Sequence, residues 1–206
     1  FVGEIIDYLD GRGVKLVVIA CNTLTVLGVD TLKGSHAFEI VGMSKGAQLV
    51  LAASSRKKIG VFATEFTINS GAHKAAILAA DDGADVYPQA CPKFVPLIEG
   101  EQFDGAEVRA AVAEYAAPLK AAGIDTLILS CTHYPFIQKE IESEFGSEVT
   151  VIDPADATAQ DTKSVLAAEG LLRSEGAGSL EVCFTADVER GARIAGRMLP
   201  QEKCRF

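Results

Sequence analysis

The chain has 206 residues, 49% of them apolar, and 28 acidic against 19 basic residues give it a net charge of −9. This length and apolar content fit one large domain or two small ones with a well-filled core. The negative charge repels phosphate backbones and acidic membrane surfaces, and the longest basic cluster is the short run "SSRKK" at 54–58. Composition therefore excludes nucleic acid as an expected partner.

Compartment and cofactors are constrained by the same composition. No apolar run reaches the roughly 18–20 residues of a membrane-spanning helix, and "FVGEIIDYLDGRG" lacks the basic and then apolar order of an export signal. The five cysteines are odd in number and show no paired metal-type spacing, which favours a reducing compartment over a disulfide framework. We expect a cytoplasmic protein without membrane contact and, with only three histidines, without a metal site.

Continuous apolar runs alternate with helical patterns, as in parallel strands buried on both faces by crossover helices, so the predicted fold class is α/β. In chain order the pattern predicts helix 1–12, strands 15–20 and 39–42, helix 44–54, strand 58–63, helix 68–82, strand 84–87, helix 105–122, strand 125–130, helix 134–145, strand 149–152, helix 156–172, strand 180–184 and helix 187–199. The three-proline stretch "YPQACPKFVPLIEGEQFDG" at 87–105 is interpreted as a surface excursion over a site.

A unit of glycine, strand and cysteine occurs twice. "GVKLVVIACNT" at 13–23 aligns with "GIDTLILSCTH" at 123–133, which places Cys21 on Cys131. Apolar runs alone match by chance in any α/β protein, so the residues after each cysteine carry the argument. In an open parallel sheet, ligands bind outside the carboxyl ends of the strands, where both cysteines are predicted to lie.

Small polar residues follow each cysteine and are suited to binding an anion: Asn22 and Thr23 after the first, Thr132 and His133 after the second. Two facing thiols would move a proton, one as a thiolate stabilised below the ordinary thiol pKa of about 8.5. The thiolate takes the proton from one face of a carbon and the opposing thiol returns one to the other face, which inverts a stereocentre. The alternative is that both cysteines are small buried hydrophobes.

These motifs resemble those of a known family. "ACNT" at 20–23 and "CTHYP" at 131–135 look like the two cysteine motifs of the cofactor-independent aspartate/glutamate racemase superfamily, and "CTHYP" is more like glutamate racemases than aspartate racemases. "IGVFATEFTINSGA" at 59–72, "ACPKFVPL" at 90–97 and "FTAD" at 184–187 are similar to further family segments in the same order.

The resemblance implies two pseudo-symmetric, doubly wound domains with mainly parallel sheets and an active site in the cleft between them. We assign 1–43 plus 147–206 to the first domain, incomplete at its N-terminus, and 44–146 to the second. Cys21 and Cys131 would be the acid/base thiols, with His133 assisting Cys131. The implied substrate-binding residues are Asn22, Thr23, Thr132, His133, Thr64 and Thr67, although the last two are equally suited to capping a helix.

The implied reaction interconverts L- and D-glutamate by two-base proton transfer, uses neither cofactor nor metal, and supplies D-glutamate for peptidoglycan. Glutamate would be the small-molecule partner, and a homodimer is an assembly we consider. The alternatives are a racemase for aspartate or another small acid, a decarboxylase that needs one cysteine, and an impaired fragment that only binds.

The front of the chain departs from the family pattern. Family members open with a strand, an aspartate-serine-glycine motif and a tyrosine-glycine pair, none of which this sequence contains. Phe1 already lies in an amphipathic pattern with Ile5, Tyr8 and Leu9. We therefore expect a fragment or a processed chain. Because the front motifs are missing, the group that would activate Cys21 is in doubt.

His36 and His73 are interpreted as surface or helix-capping residues.

Overall fold

A computed structural model describes residues 1–32, 34, 36–176, 178–199 and 204–205. The chain divides into two compact units, Phe1–Leu171 and Leu172–Phe206. Among the described residues, the first unit contains nine α-helices and six strands, and the second contains one α-helix and two short strands.

The elements of the first unit alternate between strands and helices. They are α1 Val2–Asp10, β1 Leu16–Ile19, α2 Asn22–Leu32, β2 Glu39–Gly42, α3 Ala47–Ala53, β3 Lys58–Ala63, α4 Glu65–Asn69, α5 Ala72–Ala80, β4 Asp85–Ala90, α6 Phe94–Glu99, α7 Ala106–Ala122, β5 Thr126–Ser130, α8 Gln138–Phe145, β6 Thr150–Ile152 and α9 Ala155–Ala168. Short 3₁₀ helices occupy Tyr134–Ile137 and Gly146–Glu148.

Every strand pair is parallel. β1 pairs with β2, and the larger sheet has the order β4-β3-β5-β6. All five residues of β5 are buried, as expected for a strand covered by helices on both faces. The α/β class with parallel sheets is confirmed. β6 joins the larger sheet, whereas the assigned domain boundaries place it with the first domain; those boundaries stay a prediction.

Two hydrophobic cores lie on opposite faces of the larger sheet. Because successive side chains of a strand point to opposite faces, Leu127 and Leu129 of β5 pack with the core of α6, α7 and α8, while Ile128 packs with Val50 of α3 and Ile77 of α5. A third core joins α1, β1, β2 and α2 around residues such as Ile6 and Ile40. Among the described residues, the larger sheet is therefore covered by a core on each face, and the β1–β2 sheet has a core of its own.

Several predicted elements are wrong in detail. Helix α2 is missing from the prediction because Gly28, at φ 145°, interrupts the helical pattern. The stretch 87–105 is not an irregular surface excursion: β4 continues through Ala90, α6 follows, and Phe94 is fully buried because it fills the core between α6 and α7. Helix 68–82 is divided into α4 and α5 at Gly71, whose φ of 67° is left-handed.

The second unit is small. It contains β7 Leu180–Glu181, paired in parallel with β8 Cys204–Arg205, and α10 Val188–Ala195, so the predicted strand 180–184 and helix 187–199 are both longer than the observed elements. Asp187 of "FTAD" caps α10 by accepting a hydrogen bond from the backbone N–H of Arg190. In the part of the chain that the structure describes, no helix is both long and apolar enough to cross a membrane.

His73 is buried rather than exposed, which corrects its interpretation from the sequence. It lies in the first turn of α5 with 3% of its surface exposed. Burial, and secondarily the positive charge of Lys45, lowers the pKa of His73 to about 4. The folded chain therefore keeps this imidazole neutral, whereas the unfolded chain protonates it near its ordinary pKa.

We predict that His73 makes folding sensitive to acid. Because its folded pKa is depressed, its contribution to stability is present above about pH 6.5 and is lost as the pH falls through about 4, by up to about 3 kcal/mol. Urea denaturation of the wild type and of His73→Leu across this pH range measures the effect. The wild type should lose more stability than the variant, and equal losses would contradict the assignment.

Candidate active site

Cys21 lies where β1 gives way to α2. β1 ends at Ile19, and the carbonyl of Cys21 accepts the backbone N–H of Thr25 at 2.9 Å, within the first turn of α2. Asn22 follows with 4% of its surface exposed, and its Nδ2 has no hydrogen-bond partner among the described residues. A buried amide that lacks a partner is costly, so Asn22 is a position that packing alone does not explain.

Cys131 occupies the corresponding position after β5. The chain turns at Cys131, Thr132 and His133 into the 3₁₀ helix Tyr134–Ile137, and the backbone N–H of Tyr134 donates to the carbonyl of Cys131 at 3.1 Å. The Cys131 side chain is buried, with 8% exposure. The strand end and the tight turn together fix the direction of this thiol.

The protonation of Cys131 depends on burial and on the other cysteine. Burial raises its pKa, backbone N–H groups of His133 and Tyr134 oppose that rise, and negative charge on Cys21 adds to it, so that the pKa of Cys131 is about 11. Electrostatic coupling of this kind requires the two thiols to be near one another. Cys21 and Cys131, the two predicted acid/base residues, are therefore near enough to interact electrostatically.

His133 connects Cys131 to a carboxylate that the sequence analysis missed. Its Nδ1 lies 3.9 Å from the Cys131 sulfur, and its Nε2 lies 2.7 Å from Oε1 of Glu99. Glu99 is the last residue of α6, in the stretch interpreted as a surface excursion. In the tautomer with its proton on Nε2, His133 donates a hydrogen bond to this carboxylate, and Nδ1 is then the ring atom able to accept a proton from the thiol.

Three threonine hydroxyls from residues that follow strands of the two sheets contact one another. Thr23 contacts Thr64 at 2.9 Å and Thr67 at 3.1 Å, and Thr64 contacts Thr67 at 3.0 Å. Thr64 also caps α4 by accepting the Thr67 N–H, so capping and a place in this cluster are compatible. We call Thr23, Thr64 and Thr67 the hydroxyl cluster. It joins α2 of the first sheet to α4 of the second.

Thr132 differs from the other predicted residues. Its side chain is exposed in the turn after Cys131 and makes no hydrogen bond with any of the other predicted site residues.

Cys91 is fully buried. It lies close enough to Cys131 that the two thiols interact electrostatically. Burial raises the pKa of Cys91 strongly, which suits a packing role.

Among the described residues, no group of three or more His, Cys, Asp or Glu could hold a metal ion.

Comparison with known proteins gives the class to which this fold and site belong. The chain is a member of the Asp/Glu/hydantoin racemase family, whose model matches residues 2–162.

Its relatives within that family include glutamate racemases. The chain is 39% identical over 173 residues to the glutamate racemase of Lysinibacillus sphaericus, an alignment that covers 84% of this chain and 65% of the relative. It therefore spans somewhat less than two thirds of that protein's length.

Solved structures agree in fold. Glutamate racemase isoform RacE1 from Bacillus anthracis matches with a TM-score of 0.87 and 32% identity over 96% of this chain and 74% of its own. The Francisella tularensis glutamate racemase, solved in complex with D-glutamate, matches with a TM-score of 0.78 and 28% identity over 92% and 72%.

The coupling between the two thiols predicts how Cys131 reacts. Its alkylation by iodoacetamide, followed by peptide mass spectrometry, should rise with pH through about 11. In Cys21→Ser the midpoint should shift down, because the negative charge that raises the Cys131 pKa is removed. The exposed Cys183 serves as an internal control. An unchanged midpoint in Cys21→Ser would show that the two thiols are apart.

Proposed function

We propose that this chain is the catalytic part of a glutamate racemase that uses two thiols and no cofactor. The observation that carries the proposal is the placement of Cys21 and Cys131 after parallel strands of two sheets, near enough for electrostatic coupling. The hydroxyl cluster and the His133–Glu99 pair flank them. The glutamate racemases named above support glutamate as the substrate.

The reaction requires one thiolate and one thiol on opposite faces of the substrate. The thiolate removes the proton from Cα of glutamate, and the electron pair of the C–H bond passes to Cα and its carboxylate. The opposing thiol then delivers its proton to the other face of Cα, which gives the other enantiomer and leaves the protonation of the two sulfurs exchanged. No electron is gained or lost overall, and no group leaves, so the step needs no further reactant.

His133 and Glu99 offset the difficulty of ionising Cys131. A buried thiol resists losing its proton, and its raised pKa reflects that resistance. With Nε2–H held by Glu99, Nδ1 of His133 accepts the Cys131 proton, and the carboxylate stabilises the resulting imidazolium. The 3.9 Å separation of Nδ1 and sulfur is long for a hydrogen bond in the unliganded site, and catalytic contacts of this kind shorten on substrate binding.

The polar residues around the thiols are suited to the substrate's charged groups. The unpaired Nδ2 of Asn22 and the free backbone N–H groups of the first turn of α2 donate to a carboxylate. A hydroxyl of Thr23, Thr64 or Thr67 donates to the same group when it turns out of the cluster. Thr132, exposed at the turn after Cys131, stays a predicted substrate-binding residue.

The cellular role follows from this reaction together with the family resemblance. A cytoplasmic enzyme of this kind would convert L-glutamate to the D-enantiomer for peptidoglycan. A homodimer stays a prediction, as does the absence of a nucleic-acid partner.

Proton NMR in D₂O tests the proposal. Incubation with L-glutamate and, separately, with D-glutamate should remove the α-proton signal, and polarimetry should show convergence to a racemic mixture. L-aspartate is the comparison substrate: faster exchange with aspartate would favour the alternative racemase. A folded chain that exchanges none of the three would support the binding-only alternative and contradict the proposal.

Single cysteine variants test the two-base step. Cys21→Ser and Cys131→Ser should each lose racemisation by at least about 100-fold, the usual effect of removing one acid/base group. Because each thiol serves one face of Cα, each variant should keep a different enantiomer preference in any residual α-proton exchange. Cys183→Ser is the matched control and should leave the rate unchanged. Full racemisation by either site variant would overturn the mechanism.

A further inference from the structure

Two short segments connect the β1–β2 sheet to the larger sheet. Residues 43–46 run from the end of β2 to α3, and residues 153–154 run from the end of β6 to α9, which packs back against β2. We call them the connecting segments. Because Cys21 follows β1 and Cys131 follows β5 of the larger sheet, the relative placement of the two cysteines depends on how these segments pack.

The hydroxyl of Thr158 contacts both connecting segments. Thr158 lies near the start of α9 with 5% of its surface exposed. Its Oγ1 accepts the backbone N–H of Ser44 at 3.0 Å and donates to the carbonyl of Pro154 at 3.1 Å. The sulfur of Met43, at 3.7 Å, is a weaker acceptor for the same proton. One buried side chain therefore ties the first connecting segment to the second.

The first connecting segment is also tied to Cys21. The backbone N–H of Thr25 donates to the carbonyl of Cys21 at 2.9 Å, within the first turn of α2. The Thr25 hydroxyl accepts the backbone N–H of Met43 at 3.0 Å and donates to the carbonyl of Ile19 at 3.4 Å. A shift of the first connecting segment would therefore disturb the turn that holds Cys21.

The same segment packs on the strand that precedes Cys131. A side chain at Gly46 would collide with Cδ1 of Ile128, so the backbone of the segment lies directly against this residue. Ile128 is fully buried in β5, three residues before Cys131. The contacts therefore run without a break from Cys21 through the first connecting segment to the strand that ends at Cys131.

We propose that Thr158 is a positioning residue: by tying the two connecting segments together, its hydroxyl fixes the separation of the Cys21 and Cys131 thiols. Without this hydroxyl the Ser44 N–H loses its acceptor, and the segment shifts until the N–H finds another in protein or water. The effect on catalysis rests on the proposed function, because it requires both thiols to act on one substrate. The separation of the thiols does not rest on it.

Kinetics of variants in α9 test the positioning role. Thr158→Val removes the hydroxyl at similar volume and should lower kcat for glutamate by about tenfold to 100-fold, the cost of misplacing a reacting group by about 1 Å, with a smaller change in KM. Thr158→Ser keeps the hydroxyl and should restore kcat. Thr162→Val is the matched control: it removes a hydroxyl one turn later that donates to the carbonyl of Thr158 at 2.8 Å, and it should leave kcat unchanged.

A double-variant cycle distinguishes one connected path from two separate defects. Thr25→Val removes the acceptor of the Met43 N–H, which is the next contact on the path toward Cys21. Because both contacts act through the first connecting segment, Thr25→Val combined with Thr158→Val should lower kcat no further than the more impaired single variant. Effects that multiply, or a Thr158→Ser variant as impaired as Thr158→Val, would overturn the positioning role.

The electrostatic interaction between the thiols tests their separation without any turnover. The shift that Cys21→Ser causes in the pH midpoint of Cys131 alkylation should shrink in Thr158→Val, because the interaction weakens as the sulfurs move apart. The shift should keep its full size in Thr158→Ser and Thr162→Val.

Urea denaturation shows which variants are folded, and Thr158→Ala replaces Thr158→Val if the valine variant is not. A full-sized shift in the folded variant that lacks the hydroxyl would overturn the proposal. If the shift shrinks as expected but the wild-type chain exchanges no α-proton from glutamate, the proposed function fails while the role of Thr158 in thiol separation stands.

Discussion

The contact among the hydroxyls of Thr23, Thr64 and Thr67 is the interaction on which the candidate site depends, because it joins helices that follow two different sheets. The parallel register of β3 and β5 places Ala63 beside Ser130, so the next residues, Thr64 and Cys131, leave the same edge of the larger sheet. Thr23 then holds the start of α2 at that edge. Cys21, two residues earlier, is thereby placed near Cys131.

Burial controls the protonation of Cys131. Removing Cys131 from water favours its neutral form, and a charged Cys21 reinforces that preference. The proposed inversion requires one thiol and one thiolate, and burial favours the thiol form of Cys131. The same burial makes the hydrogen bonds from the backbone N–H groups of His133 and Tyr134 stronger than they would be in water.

Much of this site could be predicted from local patterns, because each cysteine directly follows an apolar strand and is followed by small polar residues. Glu99 could not, since its partner His133 is distant in sequence and only the packing of α6 brings them together. His73 was misjudged for the same reason: its burial depends on the fold of α5 against β3 and β4. Helix α2 was missed because Gly28 breaks its periodicity, although the start of that helix holds Asn22 and Thr23.

The most direct test of the account is whether one short reagent joins Cys21 to Cys131. Dibromobimane becomes fluorescent when both of its arms react with thiols, and peptide mapping identifies the pair that it links. The account predicts a link between Cys21 and Cys131 that saturating glutamate suppresses and that Cys21→Ser abolishes. If a single-armed reagent modifies both cysteines but dibromobimane never links them, the two thiols do not face a common substrate, and the two-base account is wrong.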